Sequence, residues 1–133
     1  MRTPAMTKPQ ASLSEEARSD AGLPTAQRHE VIAALNDQFR QTLQGGAVFM
    51  TASVAKISSV RLRRMMEAIC AFDGFCEEQD PFGEHDLGSI KDEGERFFWK
   101  IDYFNPSMQL GSEDPADPAL TLRVMTIMRP EEY

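Results

Sequence analysis

Residues 84–102 gather the side-chain types that most readily do chemistry, namely Glu84, His85, Asp86, Lys100 and Asp102. Carboxylates two positions apart on a strand project from one face, and a lysine opposite them holds them ionised. Three such groups could ligate a hard divalent cation such as Mg²⁺ or Ca²⁺, which prefers oxygen donors, with His85 as a base. The same set also makes a charge-balanced, solvent-facing sheet surface, in which cross-strand pairs contribute about 0.2–1 kcal/mol each. Glu113 and Asp114, on a neighbouring loop, extend the row of carboxylates.

Other chemistries fail at their defining residues. A metal-dependent nuclease with an acid two positions before its lysine needs Asp or Glu at 98 or 89, and the chain has Phe98 and Ser89 there. No glycine-rich phosphate loop, dinucleotide fingerprint, G-x-S-x-G elbow or zinc spacing is present. Cys70 and Cys76 are too few and too oddly spaced for a disulfide framework or a metal knuckle. Cys70 falls on the packed side of a helix, and nothing nearby in sequence activates Cys76. His29 has no evident partner, and His85 reads as a hydrogen-bonded structural residue at the core edge. The reading therefore names no catalytic residue and no cofactor.

Charge narrows the partners. The chain carries 14 Lys/Arg against 21 Asp/Glu, a net charge of −7. Residues 1–72 hold nine basic and six acidic residues (+3), whereas residues 73–133 hold five and fifteen (−10). A negative field of that kind repels nucleic-acid phosphates and attracts basic surfaces. Direct nucleic-acid binding is thus disfavoured, and a basic protein partner fits. The acidic row could even mimic a phosphate backbone toward a basic groove. The one basic cluster, Arg61, Arg63 and Arg64 with Lys56 upstream, reads as a solvated helix face or as a dock for an anion or for the chain's own acidic half. No run reaches the roughly 18 apolar residues of a membrane span, and no secretory signal is evident, so a cytoplasmic location is expected.

The elements that must position these groups follow from periodicity. Residues 1–23 lack it and read as a disordered leader, which leaves 24–133 as a single domain. Ile32, Leu35, Phe39 and Leu43 mark one stripe of a helix that Gly45-Gly46 should end. A short strand A-V-F-M-T-A follows, then a second helix capped by Ser58 or Ser59, with Leu62, Met65, Met66 and Ile69 on one face. Residues 85–104 read as a hairpin closed by a three-residue loop, Asp92-Glu93-Gly94. That register pairs Leu87 with Trp99, Gly88 with Phe98, Asp86 with Lys100 and Glu84 with Asp102. It puts Leu87, Phe97, Trp99, Ile101 and Tyr103 on a core face and Glu84, Asp86, Lys100 and Asp102 on the other. Asp117-Pro118 opens a helical turn, and residues 119–129 lean to a strand because Val, Thr and Ile favour the pleat. The sum is an α+β domain, a small antiparallel sheet of three to four strands with two helices on one face.

E-H-D-L-G, G-E-R-F-F-W-K-I-D-Y, S-E-D-P-A-D-P-A and the closing T-I-M-x-x-E-E-Y resemble a small bacterial family, the domain of unknown function 3768. Members are often carried on plasmids or other mobile elements and typically show E-H-D-F-G, so Leu87 stands where phenylalanine is usual. The resemblance runs from about Ala33 to Tyr133 and carries no activity to transfer. Taken together, the residues point to a non-enzymatic binding or regulatory module. Its acidic hairpin, with Glu84, Asp86, Asp102, Glu113 and Asp114 as recognition charges, meets a protein partner. A metal-assisted hydrolase using Glu84, Asp86 and Asp102 is the competing class. Phe98 and Phe104 interrupt the polar face and leave room for a homodimer.

Overall fold

The computed structural model describes residues 23–133; the expected leader, apart from Leu23, lies outside them. The elements run α1 (Thr25–Thr42), β1 (Gly46–Met50), α2 (Ala52–Ala55), α3 (Ser59–Cys70), β2 (Leu87–Asp92), β3 (Glu95–Phe104) and β4 (Leu122–Met128), with 3₁₀ turns at Pro118–Leu120 and Pro130–Glu132. The strands form one sheet in the order β1-β4-β3-β2. The β2–β3 and β3–β4 pairs are antiparallel, while β1 runs parallel to β4. The α+β class and the small sheet are those read from the sequence. The parallel edge arises because β1 and β4 are joined by a long crossover rather than a hairpin.

The core is one cluster on the helix-bearing face of the sheet. Phe97, Trp99, Ile101 and Tyr103 of β3, with Met125 and Ile127 of β4, meet Ile32 and Phe39 of α1, Val54 of α2, and Met65 and Ile69 of α3. On α1 the buried set is Ile32, Ala33, Asn36, Phe39 and Arg40. The helix is therefore rotated relative to the expected stripe, with Leu35 half-buried and Leu43 exposed. Leu43 itself takes the left-handed position that ends the helix (φ 59°), and its N–H donates to the Phe39 carbonyl. Gly46 instead starts β1, where a Cβ would run into the Arg123 carbonyl and the Phe39 ring.

The hairpin register differs from expectation by one residue. Asp92 pairs with Glu95, Ile90 with Phe97, Gly88 with Trp99 and Leu87 with Lys100. The loop is two residues, Glu93 (φ 51°) and Gly94 (φ 81°), the pair of positive φ values that matches strand twist in a tight hairpin. Two forces select it. Gly88 rather than Leu87 lies opposite the fully buried Trp99, which makes room for the indole. Asp92, drawn into the ladder and buried, is gripped by Arg61 Nε at 2.7 Å and Arg64 Nε at 2.6 Å. The core face of β3 is the one expected. On β2 it is Gly88 and Ile90 that are buried, while Leu87 is only half-buried.

Candidate functional site, an acidic cleft on the hairpin

Two members of the basic cluster, Arg61 and Arg64, grip the hairpin tip. Beyond Asp92, Arg61 Nη2 reaches Glu95 at 2.8 Å and Arg64 Nη2 reaches Glu93 at 3.1 Å, while Arg129 of the C-terminal turn closes on Glu95 at 3.1 Å. Hydrogen bonds from Arg64 and Arg61 hold the Asp92 carboxyl down to about 2, and those from Arg61 and Arg129 lower Glu95. The same contacts push both guanidinium groups up. Of the roles expected for this cluster, Arg61 and Arg64 take the dock for the chain's own acidic half, while Lys56 and Arg63 are exposed. The dock fixes the hairpin against α3.

Residues 80–85 make a second, local lock. The Asp80 side chain accepts from the backbone N–H groups of Glu84 (2.9 Å) and His85 (3.1 Å). Gly83 (φ 69°) and His85 (φ 60°) both adopt left-handed conformations, so the chain reverses on either side of Glu84. As a result Glu84 turns inward. Its carboxylate meets His29 Nδ1 at 2.8 Å and accepts from the Tyr103 hydroxyl at 3.0 Å. Asn36 ties this corner together by donating to the Glu84 carbonyl and the Tyr103 hydroxyl and accepting from Arg123 Nε at 2.6 Å. Burial lowers the Arg123 pKa, with Tyr103 and Glu84 opposing the shift.

His85 leaves the strand and stacks on Phe75, centroids 4.0 Å apart and planes 4° apart. Its Nδ1 lies 3.0 Å from both Asp37 carboxylate oxygens. Asp37 also accepts from Arg40 Nη2 at 3.0 Å, and Arg40 is buried with its guanidinium over Phe75 and Trp99. Both histidines are thus oriented through Nδ1 by a carboxylate. Cys70 is half-buried, with burial pushing its thiol up, and Cys76 is exposed. No hydrogen bond joins either thiol to a histidine among the described residues.

Asp86, Lys100 and Asp102 do come together. With Leu87, they floor a cleft of about 320 Å³ on the sheet face away from the helices, walled by Gln79–Phe82 and by Tyr133. Lys100 Nζ lies 3.2 Å from Asp102 Oδ1 and 5.7 Å from the centroid of the Tyr133 ring. Tyr133 is placed by the turn before it. Glu132 accepts from the Arg129 N–H and from the hydroxyls of Thr51 and Ser53, contacts that lower its pKa, and the Tyr133 ring then packs edge-on against half-buried Phe98. Phe82, 60% exposed, and Tyr133, 66% exposed, are the aromatic rims. One face of Phe82 is covered by the His29 ring.

Of the seven residues singled out in the sequence, Asp86, Lys100 and Asp102 line one cleft. Glu84 faces the interior, His85 packs on Phe75, Asp114 accepts from Arg28 at 2.7 Å, and Glu113 is exposed. Among the described residues, no group of three or more His, Cys, Asp or Glu side chains could hold a metal ion. Sequence reasoning missed Phe82, Tyr133, Asn36 and Arg123. A polar Asn36 four residues after Ile32 and three before Phe39, inside an apolar stripe, was the available signal for the buried corner.

Residues 50–132 match the family described as Protein of unknown function (DUF3768). The chain belongs to that family. The match starts at Met50, later than the expected Ala33, and ends at Glu132, so it includes the cleft residues other than Tyr133 but not α1. The buried corner therefore joins family residues Glu84, Tyr103 and Arg123 to His29 and Asn36 from outside the matched span. Searches of curated proteins and of solved structures found no match. No helix among the described residues is long and apolar enough to cross a membrane.

Proposed function

We propose that this family member is a non-enzymatic binding module whose hairpin cleft takes a basic side chain of a protein partner. The observation that carries the reading is the placement of Lys100, whose ammonium sits against Asp102 and over the Tyr133 ring. A carboxylate beside an aromatic face is the chemistry that recognises a lysine or arginine head group. The cleft is also lined by a second carboxylate, Asp86, and by a second exposed ring, Phe82. The charge of −10 over residues 73–133 draws basic surfaces toward it. The carboxylates of the hairpin tip serve a different purpose, bonding Arg61, Arg64 and Arg129 to fix the hairpin against α3 and the C-terminal turn.

The competing reading, a metal-assisted hydrolase, requires Glu84 beside Asp86 and Asp102. Glu84 instead points at His29 and Tyr103 on the helix side, which disfavours that ligand set. Calorimetry of the full chain with hexalysine, and separately with Mg²⁺ and Mn²⁺, distinguishes the two. Saturable hexalysine binding that weakens with salt and drops at least several-fold in Asp86→Asn and Asp102→Asn supports the module. Saturable metal uptake lost in Asp86→Ala, with no hexalysine heat, overturns it in favour of the hydrolase.

A further inference from the structure

The sheet has two edges, β1 and β2, and they are defended unequally. The β2 edge carries Lys91, and α3 anchors the β2–β3 turn through Arg61 and Arg64 on Asp92. Among the described residues, strand β1 lacks the charge and proline that guard an edge. Gly46–Met50 contains no lysine, proline or other charge, and Phe49 is 50% exposed. It lies in the longest charge-free run of the chain, the fifteen residues Gln41–Ala55, although 26% of all residues are charged.

We infer that the β1 edge is a self-association surface, on which a second copy of this chain pairs antiparallel about a two-fold axis. Charge decides the occupant. A chain of net charge −7 repels its own copy on the whole, and the charge-free β1 run adds nothing to that repulsion where two copies meet. A basic partner drawn by the acidic field finds nothing to read there. The strand is also self-complementary. Centring the axis on Val48 pairs Gly46 with Met50 of the second copy and Ala47 with Phe49, so each exposed Phe49 ring lies over a small alanine. Isologous pairing of this kind closes after two copies. A stable dimer usually offers about 20–30 residues a side, and the neutral run offers fewer than fifteen because Val54 within it is buried, so the association is weak, of micromolar order.

The dimer has the strand order β2-β3-β4-β1-β1-β4-β3-β2, with both cleft-bearing faces on one side. At about 4.8 Å per strand the two clefts lie roughly 30 Å apart. This consequence rests on the cleft reading above, whereas the dimer itself does not. Two clefts on one side engage a partner with spaced basic sites bivalently.

Sedimentation of the full chain from about 1 μM to about 500 μM tests the inference, with amide hydrogen exchange at both ends of the range. The expected result is a reversible dimer whose Gly46–Met50 amides gain protection as it fills. Phe49→Lys and Phe49→Glu each weaken association at least tenfold, because the apolar ring is lost and two like charges lie diagonally across the axis, about 7–8 Å apart, and mixing the two variants restores it. Val60→Lys, at a site 63% exposed on α3, leaves it unchanged. A monomer at every concentration overturns the inference. So does a dimer unaffected by Phe49→Lys, or one whose β1 amides exchange as in the monomer. A dilute monomer with β1 already protected would place another segment of the chain on the edge and overturns it equally.

Discussion

Gly88→Ala tests the register that places the cleft. A Cβ at Gly88 would lie 2.5–2.7 Å from three atoms of the Trp99 indole, closer than packed carbons approach. The indole is fully buried and cannot swing aside without disturbing the core. Overpacking of this kind costs about 1–3 kcal/mol. Replacing glycine by alanine returns about 0.4–1 kcal/mol through the unfolded chain, so the net loss is about 1–2 kcal/mol. For a domain of this size that lowers Tm by roughly 4 °C per kcal/mol. Urea unfolding followed by Trp99 fluorescence measures the loss and reports the indole's surroundings directly. Ser89→Ala, one residue along and on the opposite face, is expected to stay within about 0.5 kcal/mol. A Gly88→Ala protein as stable as the parent, with unchanged emission, would refute the Gly88–Trp99 pairing and support the slipped register in which Gly88 faces Phe98.

Lys100→Gln removes the cation that already occupies the cleft while keeping a side chain of similar length. Since partly exposed pairs contribute about 0.2–1 kcal/mol, hexalysine should bind roughly two- to fivefold tighter by calorimetry; weaker binding would mean Lys100 helps recognition rather than competing with it. Asn36→Leu strips partners from Arg123, Tyr103 and the Glu84 carbonyl together. An expected cost of about 2–3 kcal/mol follows from leaving buried polar groups unsatisfied, and a change under about 0.5 kcal/mol in urea unfolding would show the corner is dispensable. Asp92 makes stability depend on acid. Its folded pKa, about 2, lies below the ordinary carboxylate value of 3.8, so the contribution is full above that ordinary value and is lost as pH falls toward 2. Acid unfolding followed by circular dichroism should show this slope, and Asp92→Asn should flatten it; an unchanged slope would assign the acid sensitivity to other groups.

Element types were legible because long periodic segments carry their own signal. The presence of α1, the Ser58 cap of α3, the Asp117-Pro118 turn and the alternation in β3 all needed only local sequence, whereas the buried face of α1 turned from Leu35 and Leu43 toward Asn36 and Arg40. The hairpin register was not, since both a two- and a three-residue loop suit K-D-E-G-E. The choice falls to tertiary forces, the indole needing Gly88 and the two arginines needing Asp92. The site divided for the same reason. Asp86, Lys100 and Asp102 sit where strand geometry suggested a shared surface. Glu84 and His85 were diverted by left-handed turns and by partners on α1, some fifty residues away in sequence, that no local pattern names.

Residue-resolved NMR titration of the full chain with hexalysine bears most directly on the proposed function. The account predicts saturable shifts centred on Asp86, Lys100, Asp102, Phe82 and Tyr133, abolished in the Asp86→Asn/Asp102→Asn double variant. Shifts confined to Glu113, Glu77 and Glu78, or scattered over every exposed carboxylate without saturation, would contradict it and reduce the acidic cleft to ordinary charged surface.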